Sequence, residues 1–344
     1  MPTNGTVEGN LAERVDAFIT DVASKGYAGS LVVEKDGALI LAKGYGFANQ
    51  REKVPVTPDT IFDIGSVTKQ FTAAAILKLE EQGKLKAEDT ISLYFDNVPE
   101  DKQNITLHQL LTHTAGFPES LANDYAPTLK DEYIDLAMGA KLTHPSGETY
   151  NYSNTGYSLL AAIIELVTGG SYETYLHNHL FTSAGMMQTG YVLPDWQKDK
   201  LARGYTRLLG FSRDTGTPLD HPFAEDGPYW NLRGNGGILS TAMDMYRWHQ
   251  ALQGNTILSE STKKNMFTPY VSEGYEQESY YGYGWVIMST SQGRLQTHNG
   301  GNDIFFADIH RYIDVDTFIF ITSSTGLRHN ATELSWQAAN ILFD

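Results

Sequence analysis

The sequence predicts an α+β fold, a class also written α/β, in which one antiparallel sheet is flanked by helices and a mainly helical subdomain is inserted. Two observations point to this class. Strand-like runs lie near both ends of the chain of 344 residues, whereas helical periodicity dominates its middle. The simplest packing joins the terminal strands in one sheet, covered by the first and last helices. We therefore expect a sheet subdomain of residues 1–62 and 236–344, a mainly helical subdomain of residues 63–235, and an active site in the cleft between them.

The N-terminal segment is expected to form a helix followed by a β-hairpin. Apolar residues recur at helical spacing between residues 11 and 24. Two apolar runs, residues 30–35 and 38–46, flank an Asp36-Gly37 turn. An Asp-Gly pair between two such runs is typical of a tight hairpin.

The middle of the chain predicts a series of helices. The first begins near Ser66 after a glycine and continues through an Ala- and Leu-rich stretch. Further helices are expected over residues 106–112, 159–167, 172–181 and 242–252. Residues 191–229 are rich in Pro, Gly and Asp and are expected to form loops.

The C-terminal segment predicts three strands and a closing helix. The strands are expected over residues 283–288, 300–309 and 317–322, because β-branched and aromatic residues are concentrated there. Helical spacing returns over residues 332–342. These elements supply the second half of the expected sheet subdomain.

The arrangement Ser66-x-x-Lys69 is the candidate catalytic centre. Residues three apart are neighbours on a helix face, so the hydroxyl of Ser66 can meet the amine of Lys69. Burial would lower the pKa of that amine and make it available as a base for a serine nucleophile. The pattern alone is weak, because Ser261-x-x-Lys264 repeats it in a charged stretch that is expected to be a solvated helix face. An N-cap serine followed by a surface lysine is the structural alternative for Ser66.

Two further segments offer groups that such a serine would need. Tyr152 and Asn154 lie two residues apart, so a phenol and an amide point the same way if the segment is extended. A turn with a half-buried tyrosine is the alternative, and Tyr229-Trp230-Asn231 repeats the pattern. Residues 298–301, a His-Asn-Gly-Gly run, precede a predicted strand, and their glycines would let the backbone approach a substrate closely. A lone histidine before a strand is more often structural.

Composition and missing motifs exclude several other functions. The net charge of −16 argues against non-specific binding of nucleic acid or anionic lipid. There are no cysteines, so disulfides and cysteine-ligated zinc are excluded. No nucleotide-binding, zinc-protease or α/β-hydrolase signature occurs, so we expect no cofactor and no metal. No signal peptide and no apolar run long enough to span a membrane is found, so a soluble protein is expected, in a compartment that the sequence leaves open.

Taken in order, these motifs resemble those of the β-lactamase-related serine hydrolases, the group of class C β-lactamases, serine DD-peptidases and family VIII carboxylesterases. The three matching motifs are Ser66-x-x-Lys69, Tyr152-Ser153-Asn154 and His298-Asn299-Gly300. Flanking stretches at residues 43–46, 62–69, 110–116 and 236–241 are also similar, and the likeness runs from about residue 12 to the C-terminus. The resemblance implies a β-lactamase/transpeptidase-like fold.

The resemblance also implies roles for these residues. Ser66 would be the nucleophile that forms an acyl-enzyme, and Lys69 and Tyr152 would share proton transfer. The remaining candidates would bind substrate: Asn154, His298, Asn299, Gly300 and Gly301, with the N–H groups of Ser66 and Gly301 as the oxyanion hole. Class C β-lactamases have lysine where this chain has His298, which favours substrates that make less demand for carboxylate binding.

The sequence leaves the substrate open among three classes. A β-lactamase-like or esterase-like hydrolase of an ester, β-lactam or amide comes first, and a D-Ala-D-Ala carboxypeptidase or D-amino-acid peptidase comes second. A non-catalytic penicillin-binding or sensor protein is the alternative from another class. The residues Tyr229 and Trp230 could line an acyl pocket, although packing is the simpler expectation. The oligomeric state cannot be deduced from the sequence.

Overall fold

A computed structural model describes residues 5–208, 211–274, 278–326 and 331–344. Its strands, in chain order, are β1 Gly5–Val7, β2 Gly29–Lys35, β3 Ala38–Tyr45, β4 Phe47–Asn49, β5 Val54–Pro55, β6 Ile61–Asp63, β7 Gly204–Leu208, β8 Phe211–Gly216, β9 Phe223–Ala224, β10 Gly227–Pro228, β11 Leu239–Thr241, β12 Val271–Ser272, β13 Ser279–Tyr281, β14 Val286–Thr290, β15 Gly293–Gly301, β16 Phe306–Tyr312 and β17 Thr317–Ser323. Its helices are α1 Gly9–Ser24, α2 Lys69–Glu81, α3 Leu107–Leu111, α4 Lys130–Gly139, α5 Asn154–Thr168, α6 Tyr172–Leu176, α7 Thr182–Ala184, α8 Ala242–Gln253, α9 Glu260–Met266 and α10 Ala331–Phe343.

One antiparallel sheet of nine strands is assembled from the two ends of the chain, as predicted. Its order is β1-β3-β2-β17-β16-β15-β14-β13-β12, so β2 from the N-terminal segment pairs with β17 from the C-terminal segment. The expected class, an antiparallel sheet with flanking helices, is therefore confirmed. The exact subdomain boundaries at residues 62 and 236 remain a prediction.

The two faces of the sheet cover separate apolar cores. Side chains alternate along each strand, so Ile319 and Ile321 of β17 face α1 and α10, whereas Phe318 and Phe320 face the opposite way. The core on the α1 and α10 side is the smaller of the two. The larger core joins the sheet to α2, α5 and α8, and α2 lies in it with ten of its thirteen residues buried. The helix that follows Ser66 is thereby held rigidly at the centre of the molecule.

The predicted strand over residues 300–309 is correct in its last four residues, which begin β16, but residues 302–305 form the turn of a hairpin. Strand β15 ends at Gly301 and β16 begins at Phe306. The side-chain oxygen of Asn302 accepts hydrogen bonds from the backbone N–H groups of Ile304 and Phe305, both at 2.8 Å. Such an asparagine turn reverses the chain. Residues 298–301 accordingly lie inside a strand and do not precede one.

Two smaller predictions also need correction. The strand predicted from residue 283 begins only at Val286, because Gly284 has a φ of +74° and packs against the backbone of Lys69. Within residues 191–229, which were expected to be loops, β7 and β8 form an antiparallel hairpin. The stretch around Ser261 forms α9 with Ser261 and Lys264 exposed as expected, but Lys263 is buried.

Candidate active site

Ser66 lies in a single 3-10 turn, Gly65–Thr68, that connects β6 to α2. Gly65 begins this turn with a φ of +52°, and a Cβ there would collide with the backbone of Gly301. The carboxylate of Asp63 accepts a hydrogen bond of 2.8 Å from the N–H of Gly65. The glycine and the carboxylate together fix the turn that presents the Ser66 hydroxyl.

Lys69 is the first residue of α2 and is completely buried. Its Nζ donates to Asn154 Oδ1 at 2.7 Å and to the carbonyl of Asn235 at 2.8 Å, and lies 3.1 Å from Ser66 Oγ. Burial lowers the pKa of Lys69 well below its usual value, although the carboxylates of Asp124 and Glu119 oppose the shift. The burial of Lys69 and its contact with Ser66 are those expected of a base beside a nucleophile.

The geometry around Lys69 also fits an uncharged amine. A neutral amine has two N–H bonds and one lone pair. The two N–H bonds match the oxygen atoms of Asn154 and Asn235, which leaves the lone pair for Ser66. In that state the hydroxyl of Ser66 donates its hydrogen bond to the amine, which is the direction that proton removal requires.

Tyr152 and Asn154 reach the same point from the segment that leads into α5. The Nζ atom of Lys69 lies 4.7 Å from the centre of the Tyr152 ring. Burial of the phenol raises the pKa of Tyr152 above its usual value, and the hydroxyl of Ser66 offsets part of this shift. Tyr152 is therefore a protonated phenol near neutral pH and a possible proton donor. Asn154 is the first residue of α5, and Ser153 caps that helix by accepting from Gly156 N at 3.2 Å.

His113 supports Tyr152 from behind, a role that the sequence did not reveal. Its Nδ1 accepts a hydrogen bond of 3.0 Å from the N–H of Ser153, and its ring centre lies 4.4 Å from that of Tyr152. His113 is buried and has a φ of +59°, so it occupies a backbone conformation that few side chains adopt. Its only sequence signal was its place in the similar stretch 110–116.

Strand β15 carries the third candidate segment, and its histidine ring lies beside Tyr281 with its centre 6.5 Å from that of Tyr152. His298 is buried, with Nδ1 2.6 Å from the carbonyl of Asn299 and Nε2 2.9 Å from the Tyr281 hydroxyl. Because a carbonyl only accepts, Nδ1 carries the hydrogen and Nε2 accepts from the tyrosine. Burial is the main cause that lowers the pKa of His298 to about 4. The side chain of Asn299 donates through Nδ2 to Thr332 at 3.3 Å.

The two glycines of β15 bring its backbone against the serine turn. A Cβ on Gly300 would overlap the carbonyl oxygen of Ile64 and the backbone nitrogen of Ser66. Beside this contact lies a cavity of about 450 Å³. The cavity is lined by Ser66, Tyr152, Asn299, Gly300, Gly301, Asn302, Asp303 and Phe306. None of these lining residues is Lys or Arg, and His298 is absent from them.

The structure therefore brings together Ser66, Lys69, Tyr152 and Asn154 by direct contact and places Gly300 and Gly301 beside them. A family model described as "Beta-lactamase" matches residues 13–339 of this chain. The chain belongs to the beta-lactamase family. The match spans nearly the whole chain.

Several relatives of this beta-lactamase-family chain carry penicillin-binding names. The chain is 32% identical over 286 residues to PbpX of Bacillus subtilis (strain 168), a protein named as a penicillin-binding protein. The alignment covers 83% of this chain and 67% of PbpX. An octameric penicillin-binding protein homologue from Pyrococcus abyssi superposes with a TM-score of 0.84 and 28% identity, over 96% of this chain and 77% of that one. A penicillin-binding protein from Bacillus halodurans gives a TM-score of 0.80 and 26% identity, over 94% and 99% of the two chains.

Tyr229 and Trp230, the aromatic pair considered for an acyl pocket, do not line this cavity. Trp230 is buried in the larger core, with the guanidinium of Arg233 5.0 Å from its ring centre. Within the described residues, no group of three or more His, Cys, Asp or Glu side chains is placed to hold a metal ion. Nor is any helix in that part of the chain long and apolar enough to cross a membrane.

Proposed function

We propose that this protein is a serine hydrolase that cleaves an ester or an amide through an acyl-enzyme on Ser66. The observation that carries the proposal is the contact of 3.1 Å between Ser66 Oγ and the fully buried amine of Lys69. A serine needs an adjacent base to become a nucleophile, and a buried, uncharged lysine is such a base. The exposed Ser261 of the second Ser-x-x-Lys sequence makes no hydrogen bond to Lys264 and lacks that environment.

In acylation, Lys69 accepts the proton of Ser66 as Oγ attacks the substrate carbonyl. The negative charge on the carbonyl oxygen is stabilised by the backbone N–H groups of Ser66 and Gly301, whose segments lie in contact. The phenol of Tyr152 donates its proton to the leaving group and recovers one from Lys69. The bond to the leaving group then breaks and leaves Ser66 acylated.

In deacylation, the proton transfers run in reverse. A water molecule attacks the acyl carbonyl while the Lys69–Tyr152 pair accepts its proton, and Ser66 regains a proton as the acid product leaves. Because the pKa of Tyr152 is raised, we assign the basic role in this pair to Lys69 and proton delivery to Tyr152. Asn154 holds Lys69 in place through its side-chain oxygen.

An ester or amide without a carboxylate requirement is the substrate class that these groups favour. Among the described residues the cavity wall holds no Lys or Arg, Asp303 is an exposed part of that wall, and His298 is a neutral ring hydrogen-bonded to Tyr281. We assign His298 to the support of the site, not to substrate contact. The penicillin-binding names of the relatives favour a second candidate, a D-Ala-D-Ala carboxypeptidase or D-amino-acid peptidase. β-Lactams would then be substrates or inhibitors.

The deciding experiment is the intact mass of the protein over time after mixing with a penicillin or with a short-chain nitrophenyl ester. We expect ester turnover, and we expect Ser66→Ala to abolish both turnover and any adduct while the circular dichroism spectrum is unchanged. Ser261→Ala is the matched control, since it removes the serine of the second Ser-x-x-Lys sequence and is expected to leave both signals intact.

The outcomes separate the candidates. A penicilloyl adduct that persists would favour the peptidase or esterase, whereas rapid loss of penicillin without an adduct would favour a β-lactamase. Full activity in Ser66→Ala would refute the proposal. An intact penicillin complex with no turnover of either compound would favour the non-catalytic penicillin-binding alternative.

A further inference from the structure

A cavity of about 760 Å³ lies away from Ser66, between helices α8 and α9 and the ends of β15 and β16. None of its lining residues belongs to the candidate active site. Its wall combines apolar side chains with four cationic and two acidic ones. The residues that carry the argument are Arg311, Lys264, Arg294, Phe267, Leu252 and Ile313.

Arg311 forms the buried base of this cavity. Only 3% of its surface is exposed, and its guanidinium lies 5.3 Å from the ring centre of Phe267 and 5.6 Å from that of Trp285. Nε donates to His249 Nδ1 at 3.0 Å, and Nη1 donates to Gln296 Oε1 at 2.6 Å. No described residue forms a hydrogen bond with Nη2. This nitrogen is not fully buried, so it keeps access to the cavity. The Nη2 nitrogen of a buried guanidinium, with its two N–H groups, is therefore free to bind a ligand.

No carboxylate in the described part of the chain is bonded directly to this guanidinium. Because Arg311 donates to Nδ1 of His249, the imidazole hydrogen is on Nε2, which donates to Glu34 Oε1 at 3.1 Å. Glu34 also accepts from the Tyr246 hydroxyl at 2.6 Å. The neutral ring of His249 therefore separates the carboxylate of Glu34 from the guanidinium of Arg311. An anion in the cavity would supply the direct partner that buried charges normally have.

The rim of the cavity adds two cations that form no ion pair with any described residue. The side chains of Lys264 and Arg294 are exposed, and neither makes a hydrogen bond or salt bridge to another described residue. The other lysine of the wall, Lys263, is already engaged with Glu260 at 2.9 Å and with carbonyls at the end of α8. The acidic Asp316 accepts a hydrogen bond from Gln253. In a chain with a net charge of −16, this is a local site of positive potential.

The geometry points to a binding site for an organic carboxylate with an apolar body. Its carboxylate meets Nη2 of Arg311 at the base, where a charge-assisted hydrogen bond forms in a largely dehydrated setting. Its apolar part contacts Leu252, Phe267 and Ile313. The volume lies in the range that small-molecule sites occupy. The residues of the second Ser-x-x-Lys sequence, Ser261 and Lys264, thereby contribute to a binding surface and not to a nucleophile.

The test is isothermal titration of the whole protein with 4-phenylbutyrate, compared with 4-phenylbutan-1-ol, which keeps the apolar body and lacks the charge. We expect saturable binding of the carboxylate and at least about tenfold weaker binding of the alcohol, because a single charge-assisted hydrogen bond is worth that much. Arg311→Gln is expected to reduce affinity for the carboxylate by about tenfold or more. It is expected to leave the affinity for the alcohol unchanged.

A rim variant keeps the test decisive if Arg311→Gln does not fold. The double variant Lys264→Ala/Arg294→Ala removes only exposed side chains, and we expect a loss of about threefold to tenfold that shrinks at high salt. Lys84→Ala, an exposed lysine elsewhere, is the matched control and should bind like the unaltered protein. Equal affinity for acid and alcohol would overturn the inference, as would unchanged binding in the double variant. So would loss of carboxylate binding on acylation of Ser66, because it would place the ligand in the active site.

Discussion

The uncharged state of one amine is the residue-level feature on which the proposed chemistry depends. Lys69 is enclosed by the oxygen atoms of Asn154 and Asn235 and by the hydroxyl of Ser66, none of which carries a formal charge. The acidic groups that favour its protonated form, Asp124 and Glu119, act on it without a hydrogen bond. Desolvation has the larger effect on the pKa of Lys69, so the amine is an uncharged base in the site, whereas in water it would be a cation.

The buried His298 gives a prediction for the pH dependence of stability. Its pKa is about 4 in the folded protein and near 6.5 when unfolded, so between these values the unfolded chain binds a proton that the folded protein does not. The free energy of unfolding should therefore fall as the pH drops from about 6.5 towards 4 and be unaffected by this group above 6.5. The full loss is about 3 kcal/mol, at about 1.4 kcal/mol per pH unit.

Urea denaturation between pH 4 and 8 measures this dependence, with His298→Gln as the comparison. Glutamine does not titrate in this range, so the difference between the two proteins isolates the histidine from the other ionisable groups. The advantage of the unaltered protein over the variant should be constant above pH 6.5 and shrink below it. A difference that stays constant down to pH 4 would show that His298 is not held neutral by the fold.

Some residues of the site were predictable from sequence and others were not, for a physical reason. The spacing of Ser66 and Lys69 on one helical turn is local, so the sequence predicts their contact. The carbonyl of Asn235 and the ring of His113 meet the site only because separate segments pack together. Substrate binding by His298 was implied by the family resemblance and remains a prediction; the hydrogen bond of its ring to Tyr281 depends on the packing of a separate strand, which no local pattern reveals.

At the scale of secondary-structure elements, the site depends on how closely β15 approaches the turn of Ser66. The strand passes so near that neither Gly65 nor Gly300 has room for a side chain. A hairpin turn at Asn302 then carries the chain back along β16, and the amide of Asn302 also donates to Asp63 at 3.1 Å. The hairpin and the serine turn are thereby fastened to each other. The sequence predicted the hairpin of β2 and β3 from its Asp-Gly turn, but the Asn302 turn lacks so plain a marker.

Gly300→Ala tests this close approach. The added methyl group would overlap Ile64 O and Ser66 N, so β15 must move away and separate the two proposed oxyanion donors. We expect kcat/KM for a nitrophenyl ester to fall by about 10²–10³, the loss typical of one missing oxyanion donor. KM should change much less, because the donors act chiefly in the transition state.

Gly139→Ala is the matched control for that substitution. Gly139 is the last residue of α4, where nothing lies near an added Cβ and the backbone is not left-handed. It should keep full activity and gain slightly in stability, because alanine is the better helix former by up to about 1 kcal/mol. If Gly300→Ala were equally active, the strand would not supply the oxyanion donor.

At the scale of the whole molecule, the sheet connects the two ends of the chain. Hydrophobic patterns predicted that the terminal strands share one sheet, and this was confirmed. The order of the strands could not be derived, because the pairing of β2 with β17 joins residues almost 300 positions apart and no local pattern encodes it. The inserted helices between them close over one face of the sheet and complete the larger core.

This arrangement predicts which amides are protected most strongly from hydrogen exchange. Strand β17 is hydrogen-bonded on both sides, to β2 and β16, and all seven of its residues are buried. Its amides should exchange only through global unfolding and be the slowest in the protein, whereas the short edge strands β1 and β12 should exchange fastest in the sheet. Mass spectrometry after deuterium labelling, with peptides covering each strand, measures this order.

Because β2 depends on β17 for one of its two partners, the two strands should become deuterated together as urea is raised. Earlier exchange of β2 and β3, with β16 and β17 still protected, would instead mean that the N-terminal hairpin unfolds independently of the C-terminal strands.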